Sequence, residues 1–190
     1  MSILITLFGE IIVLIALRCA IKSVDGIIFQ KVALFIFCVY LIGIFTVTLG
    51  NRTADNVGDI NIVLFSTIKH MFSPTANYIK QKGLLRGLRA LKWIGYPAWE
   101  SIALNFLMLV PLGYLTPCCF RCINRWWKAV AVGFALTLII ESAQLVFKIG
   151  WFDVDDIFLN TLGALIGYGL HKCILYNSKT QCKREEQDGK

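Results

Sequence analysis

The sequence predicts an all-α fold, a polytopic integral membrane bundle of about five transmembrane helices with a long outer segment between spans two and three. Hydrophobic residues make up 57% of the 190 residues, and the mean hydropathy is +0.67. The apolar residues are gathered into runs near the ~20 residues that cross ~30 Å of hydrocarbon. These values are too high for a soluble globular protein, and polar or basic loops separate the runs.

The apolar runs define the domain organisation. They cover Ser2–Leu17, Val32–Leu49, Ile102–Phe120, Trp126–Phe147 and Ile157–Leu175. A polar segment, Gly50–Glu100, separates the second run from the third, and Tyr176–Lys190 ends the chain. We therefore divide the chain into a transmembrane domain, residues 1–175, and a cytoplasmic basic and polar tail, residues 176–190.

The basic residues predict the orientation in the membrane. The first and third connections are basic, as is the tail, whereas the loop between spans four and five has only Lys148 against three Asp. The positive-inside rule then places the N-terminus outside and the C-terminus in the cytoplasm. Membrane orientation and anionic lipid thus account for the net charge of +7. Since no nucleic-acid motif is present, membrane lipids are the predicted partners, nucleic acid is not, and the oligomeric state stays open.

Part of the outer segment has a basic amphipathic pattern. Apolar residues recur at helical spacing, while Lys and Arg fall on the other faces; the apolar positions are Leu84, Leu85, Leu88, Leu91 and Ile94. One interpretation is a helix lying on an anionic membrane surface. The other is a solvated loop helix packed on the bundle, and Gly83 and Gly87 weaken a helix in either case.

Polar residues that are costly inside a bilayer fall at one depth near the outer face. These candidate binding residues are Asn105, Glu141, Gln144, Asp153, Asp155, Asp156 and Asn160. Glu141 and Gln144 share a helix face at i, i+3. Asp156, Asn160, Gly163 and Gly167 form one stripe, and the two glycines let a neighbouring helix approach closely. The pattern predicts a binding cluster, with no metal, no cofactor and no assigned catalytic residue.

Each of these residues also has a structural interpretation. Asp155 or Asp156 can cap span five, and the three carboxamides can be interhelical hydrogen-bonding groups. Glu141 is either protonated and structural, or ionised and paired with Arg52 or a bound cation. Glu10, nearer the middle of span one, fits a neutral structural role.

Three further features have limited functional content. Pro111 predicts a kink in span three just below Asn105, because proline removes one backbone hydrogen bond. Neither His70 nor His171 neighbours a nucleophile in sequence, so we assign them no catalytic role. The cysteines lack the pattern of a zinc site or of a disulfide framework.

The quoted residues, with two further motifs, resemble the VanZ-like family of bacterial membrane proteins. The matching pieces span about residues 61–169 and are Asn61-Ile-Val-Leu-Phe65-Ser-Thr-Ile68, Asn105-Phe-Leu-Met-Leu-Val-Pro111-Leu-Gly113, Glu141-Ser-Ala-Gln144, and Asp153-Val-Asp155-Asp156 through Asn160, Gly163 and Gly167. Members often carry Pro where this chain has Leu64, and many carry Arg where it has Trp151. If that Arg neutralises the acids, Lys148 or Arg52 takes its place here.

The resemblance implies a multi-pass protein of the bacterial plasma membrane that modulates the susceptibility of the cell envelope to glycopeptide antibiotics of the teicoplanin type. The physical route is binding of a lipid headgroup or a lipid-linked cell-wall precursor at the outer leaflet. The alternative is an integral membrane enzyme acting on a lipid-linked envelope substrate, with Glu141 as general acid or base and the Asp loop holding Mg²⁺ or Ca²⁺. No nucleophile–base motif supports an enzyme, and a transporter lacks support from an internal repeat.

The orientation is testable by cysteine labelling in intact cells. Cys introduced at Ser73 should react with a membrane-impermeant thiol reagent, whereas Cys182 in the tail should react only after permeabilisation. Native cysteines on the same side are first replaced by Ser. Reversed labelling would place the Asp loop in the cytoplasm and contradict the topology.

Overall fold

The structure is a computed structural model that describes residues 26–50, 60–83 and 96–188. Its helices are α1 (Gly26–Phe45), which continues as a π-helical turn (Thr46–Gly50), α2 (Ser66–Lys82), α3 (Tyr96–Met108), α4 (Val110–Cys119), α5 (Trp126–Val146) and α6 (Val154–Asp188). Two short strands are β1 (Ile60–Asn61) and β2 (Phe152–Asp153). The described chain is therefore mostly helical, as predicted.

Four stretches of helix among the described residues are long and apolar enough to cross a membrane. They are Gly26–Gly50, Ser101–Cys119, Trp126–Val146 and Val154–Ile174. These correspond to predicted spans two to five, with α3 and α4 together making the third. The structure thus supports a multi-pass membrane protein.

Several predictions concern residues outside the described ranges. They are the first span, Glu10 within it, Arg52, and most of the basic amphipathic segment. The count of five spans and both interpretations of that segment stay predictions. Within the polar segment between spans two and three, the structure adds α2 and β1.

The third span is interrupted at Leu109, as the proline predicts. Pro111 lies in the first turn of α4, where a missing N–H costs least. The Tyr40 hydroxyl of α1 donates to the carbonyl oxygen of Met108, the last residue of α3, at 2.6 Å. A phenol that is fully buried in the bundle thus satisfies a backbone group beside the break.

Helix α6 is the centre of the bundle because it contacts α3, α4 and α5. Its glycines allow backbone-to-backbone contact with the third span. A Cβ at Gly163 would overlap the carbonyl oxygen of Phe106, and one at Gly167 would overlap that of Val110. From the other side, a Cβ at Gly113 would overlap the carbonyl of Ala164. The predicted close approach at Gly163 and Gly167 is confirmed.

Helix α5 ends in a Schellman motif built on Lys148. The N–H of Lys148 donates to Leu145 O at 3.2 Å, and the N–H of Ile149 donates to Gln144 O at 3.0 Å. Lys148 takes the left-handed conformation, φ 55°, at a position where glycine is usual. The motif turns the chain sharply towards β2.

The two ends of the bundle differ in charge. At one, here called the acidic end, β1 pairs in parallel with β2, with Ile60 opposite Phe152 and Asn61 opposite Asp153. The acidic end carries Glu141, Asp153, Asp155 and Asp156. The opposite end, here called the basic end, carries Lys31, Arg121, Arg125, Lys128 and Lys172.

The glycine contacts predict opposite effects at two positions of one helix. Gly167→Ala should lower the free energy of unfolding by about 1–3 kcal/mol, because the new methyl group meets backbone that cannot move away. At Gly169 an added Cβ meets nothing within 4 Å, so Gly169→Ala should be neutral or stabilising by about 0.5–1 kcal/mol. Unfolding of the purified variants in detergent measures both, and equal shifts would argue against the packing described.

Candidate functional site

The acidic end is organised by the carboxylate of Asp153. Its Oδ1 accepts the N–H of Asp155 at 2.8 Å, the contact made by an N-cap residue. The same oxygen accepts the Nδ2 of Asn61 at 3.2 Å. Asp153 therefore begins α6 and holds the segment between spans two and three to it.

This arrangement corrects the predicted helix start. α6 begins at Val154 rather than at Ile157, so Asp155 and Asp156 lie in its first turn instead of in the preceding loop. The capping residue is Asp153, not Asp155 or Asp156. Two acids in the first turn remain favourable there because the helix dipole is positive at its N-terminus.

The side chain of Asn61 completes the junction. Its Oδ1 accepts the N–H of Val63 at 3.2 Å, and its Nδ2 donates to the Ser66 hydroxyl as well as to Asp153. The local turn at Asn61 is thus tied to the start of α6 by one side chain. Sequence reasoning quoted Asn61 in a family motif but did not place it in the site.

A tight turn follows, formed by residues 63–66. The N–H of Ser66 donates to Val63 O at 3.1 Å, and Phe65 is left-handed with φ 64° and ψ 16°. Leu64 has no positive φ, so the turn is of type II, with its left-handed position filled by Phe65 instead of glycine. The N–H of Phe65 donates to Asp155 Oδ1, and its ring meets the edge of Phe158 at 5.6 Å. These contacts offset the ~1–2 kcal/mol that the left-handed conformation costs.

Glu141 lies next to the junction, on α5. It is only 3% exposed, and its Oε2 accepts the N–H of Asp153 at 3.1 Å. Its carboxylate therefore joins span four to the residue that caps span five. Lys148 is exposed and forms no ion pair with the described carboxylates, while Arg52 lies outside the described residues.

Asn105 and Asp156 form a second pair at the same end. The Nδ2 of Asn105 donates to Asp156 Oδ1, across the contact between α3 and α6. Both residues are only half-buried. Asp153 is the other half-buried member of the predicted cluster, and its carboxylate caps α6.

Gln144 and Asn160 bond elsewhere. Gln144 Nε2 donates to Thr48 O in the π-helical turn at 3.1 Å, and Asn160 Nδ2 donates to Thr137 Oγ1 at 2.9 Å. Both carboxamides are buried, and these bonds join span four to spans two and five. The interhelical interpretation describes them better than membership of a binding site.

Comparison with known families decides what kind of protein this is. The family model described as VanZ/LLP1 matches residues 6–176. The chain belongs to the VanZ/LLP1 family. No curated protein matches it, and no solved structure matches it.

The family motifs meet in space in this VanZ/LLP1 protein. Asn61 and Phe65, Glu141, and the Asp motif contribute to one junction, and Asn105 joins it through Asp156. Apart from Asn61, the residues missed from sequence are those that offer only a backbone group or a hydroxyl, such as Thr48, Thr137 and Ser66. Their residue types carry no signal of a polar site.

The junction makes a direct prediction about amide exchange. Asp155→Ala should speed hydrogen exchange at the Phe65 amide by about ten- to hundredfold, because a charge-assisted hydrogen bond is lost. Asp155→Asn keeps an acceptor oxygen and should change the rate much less. Exchange mass spectrometry of the peptide spanning residues 60–66 measures this, and equal rates in both variants would contradict the assigned contact.

Proposed function

We propose that this VanZ/LLP1 protein resides in the bacterial plasma membrane and lowers the susceptibility of the cell envelope to glycopeptides of the teicoplanin type. In this proposal the acidic end faces outward, with the N-terminus outside and the C-terminus in the cytoplasm. There it binds a lipid headgroup or a lipid-linked cell-wall precursor. The observation that carries the proposal is the half-buried pair of Asn105 and Asp156 at the same end of the bundle as exposed apolar side chains.

Burial and hydrogen bonding suggest two different roles for the polar residues at the acidic end. Glu141 and Asp155 are almost fully buried and accept backbone N–H groups, so they act as positioning residues. Asn105 and Asp156 are half-buried and come from two helices. They are the groups that we propose to contact the ligand.

Exposed apolar side chains lie at the same end of the bundle as this pair and are here called the apolar rim. Its residues are Ile60, Ile62, Val63, Leu64, Phe65, Val146, Phe147 and Trp151. Ile62, for example, is 72% exposed although it belongs to a turn outside the spans. Apolar loop side chains of this kind suit the interfacial layer, where an acyl chain enters the bilayer.

The chemistry of the pair limits which part of a ligand it takes. A carboxylate accepts hydrogen bonds, and a carboxamide both donates and accepts them. Sugar hydroxyls, peptide amides and amines are therefore suitable groups for this pair to bind. A lipid-linked precursor carries sugars and peptide at the outer leaflet and a hydrocarbon lipid chain for the apolar rim, so it fits both surfaces.

The proposal predicts a selective change in drug response. Expression in a susceptible host should raise the inhibitory concentration of teicoplanin more than that of vancomycin. Teicoplanin carries an acyl chain and acts at the outer leaflet, where binding of the headgroup or precursor by this protein would limit its access. Membrane abundance is measured in the same cells. Equal or absent shifts with verified expression would contradict the proposal.

Two isosteric variants separate a site from a scaffold. Glu141→Gln and Asp156→Asn keep the side-chain shape and remove only the charge, so both variants should insert and accumulate normally. Asp156→Asn should lose most of the teicoplanin response if Asp156 contacts the ligand. Glu186→Gln in the tail is the charge control and should keep the response. Normal activity in both isosteric variants would mean that the acids are scaffolding.

Burial of Glu141 also motivates the rival proposal, a membrane enzyme acting on a lipid-linked envelope substrate. A buried carboxylate beside an interface is a general acid or base in many active sites. Mass spectrometry of envelope lipids and peptidoglycan, with and without expression, distinguishes the two. Unchanged envelope chemistry beside a changed drug response excludes the enzyme.

A further inference from the structure

A cavity lies at the basic end of the bundle, away from the candidate site at the acidic end. Its volume is about 240 Å³, and it opens between the start of α1, the end of α4 and α6 near His171. The lining includes Phe29, Gln30, Tyr114, Arg121, His171 and Ile174. This cavity plays no part in the proposed function.

Among the described residues, the surroundings of the cavity are cationic; Asp25, which precedes Gly26 in the sequence, lies outside them. Residues 26–50, 115–128 and 163–174 contain five Lys or Arg and no Asp or Glu. The acids of the tail begin at Glu185, eleven residues beyond Ile174. At 1.5 Å per helical residue, that is roughly 16 Å farther along α6. The cavity mouth therefore favours an anion.

The polar groups in the cavity are held in place by their own contacts. Gln30 Nε2 donates to Cys119 O at 2.7 Å, which fixes its carboxamide between α1 and α4. His171 is buried, with Nδ1 3.4 Å from Cys118 Sγ and its ring edge-on to Tyr114 at 5.6 Å. Sequence reasoning treated this histidine as isolated because Cys118 is 53 positions away.

Arg121 supplies the charge in this lining. Its planar guanidinium presents donors in a fork that matches two phosphate oxygens. Phe29 and Ile174 provide apolar walls beside it, which suit the glycerol and first acyl carbons of a lipid. Basic pockets between membrane helices on the cytoplasmic side are a known setting for anionic headgroups.

We infer that this cavity binds the phosphate group of an anionic phospholipid, with Arg121 as the main contact; its assignment to the inner leaflet rests on the orientation in the proposed function. The chemistry that would be recognised is a phosphate ester. A lipid is the source because the cavity lies at a helix end where headgroups are located and has apolar walls. Binding there ties α1, α4 and α6 together at the basic end.

The test measures binding of dioctanoyl phosphatidylglycerol to the purified full-length protein by native mass spectrometry. Phosphatidylglycerol should bind more tightly than dioctanoyl phosphatidylcholine, and Arg121→Gln should weaken that binding by about tenfold or more. Lys172→Gln is the matched charge control, since Lys172 is exposed at the same end and lies over the Tyr168 ring instead of lining the cavity. Equal losses in the two variants would show general attraction to a basic surface and overturn the inference.

Two glycines of α1 test the cavity by volume without changing charge. Gly26 lines the cavity, Gly43 does not, and an added Cβ meets nothing within 4 Å at either position. Gly26→Leu should therefore weaken phosphatidylglycerol binding, and Gly43→Leu should leave it unchanged. Unaltered binding in Gly26→Leu would place the lipid elsewhere.

The same binding measurement is repeated with inorganic phosphate or glycerol 3-phosphate added as a soluble competitor. Because neither fills the apolar walls, neither should displace the lipid at equal concentration. Displacement by either one would assign the cavity to a soluble phosphate compound and overturn the lipid source.

Discussion

The backbone contact between α6 and the third span is the constraint on which the rest of the bundle depends. In a bilayer, apolar side chains gain little by leaving lipid for one another, so close packing must supply the association. Gly113, Gly163 and Gly167 let the two backbones touch. The same contact brings Asn105 within hydrogen-bonding reach of Asp156. A wider separation would leave both groups to find other partners at a depth where unpaired polar groups are expensive.

Most polar groups described in the bundle are hydrogen-bonded, although the buried Oδ1 of Asn160 has no partner. Towards the interior, Thr137 meets Asn160, and Gln144 meets a backbone carbonyl that the π-helical turn presents. At the acidic end, carboxylates receive backbone N–H groups from the loops. Charge is thus placed where the chain itself has unpaired donors, at the start of α6 and in the turn at Phe65. This explains how four acids fit at one end of a largely apolar protein.

Much of the helical arrangement could be predicted from the sequence because apolar length is a strong signal. Four of the five runs correspond to observed helices, and the break near Pro111 and the packing at Gly163 follow from residue chemistry. The site could be predicted only as a set of polar residues at one depth. Partners such as the Thr48 carbonyl and the Phe65 amide lie 90 or more positions from the side chains they bind. Pairing over such distances has no periodic signal, so the sequence groups Gln144 and Asn160 with the acids although their hydrogen bonds run to Thr48 and Thr137.

The type II turn at residues 63–66 accounts for one departure from the family pattern. Family resemblance leads one to expect proline where this chain has Leu64, and that position is the second of the turn, at which proline's fixed φ is favoured. In this chain the contacts are made at the third residue of the turn. The Asp155 carboxylate accepts the Phe65 amide, and the Phe158 ring packs against the Phe65 ring. Because this chain has Leu64 in place of a proline ring, the conformation of its turn depends on contacts with span five. Movement of α6 is therefore transmitted directly to the turn.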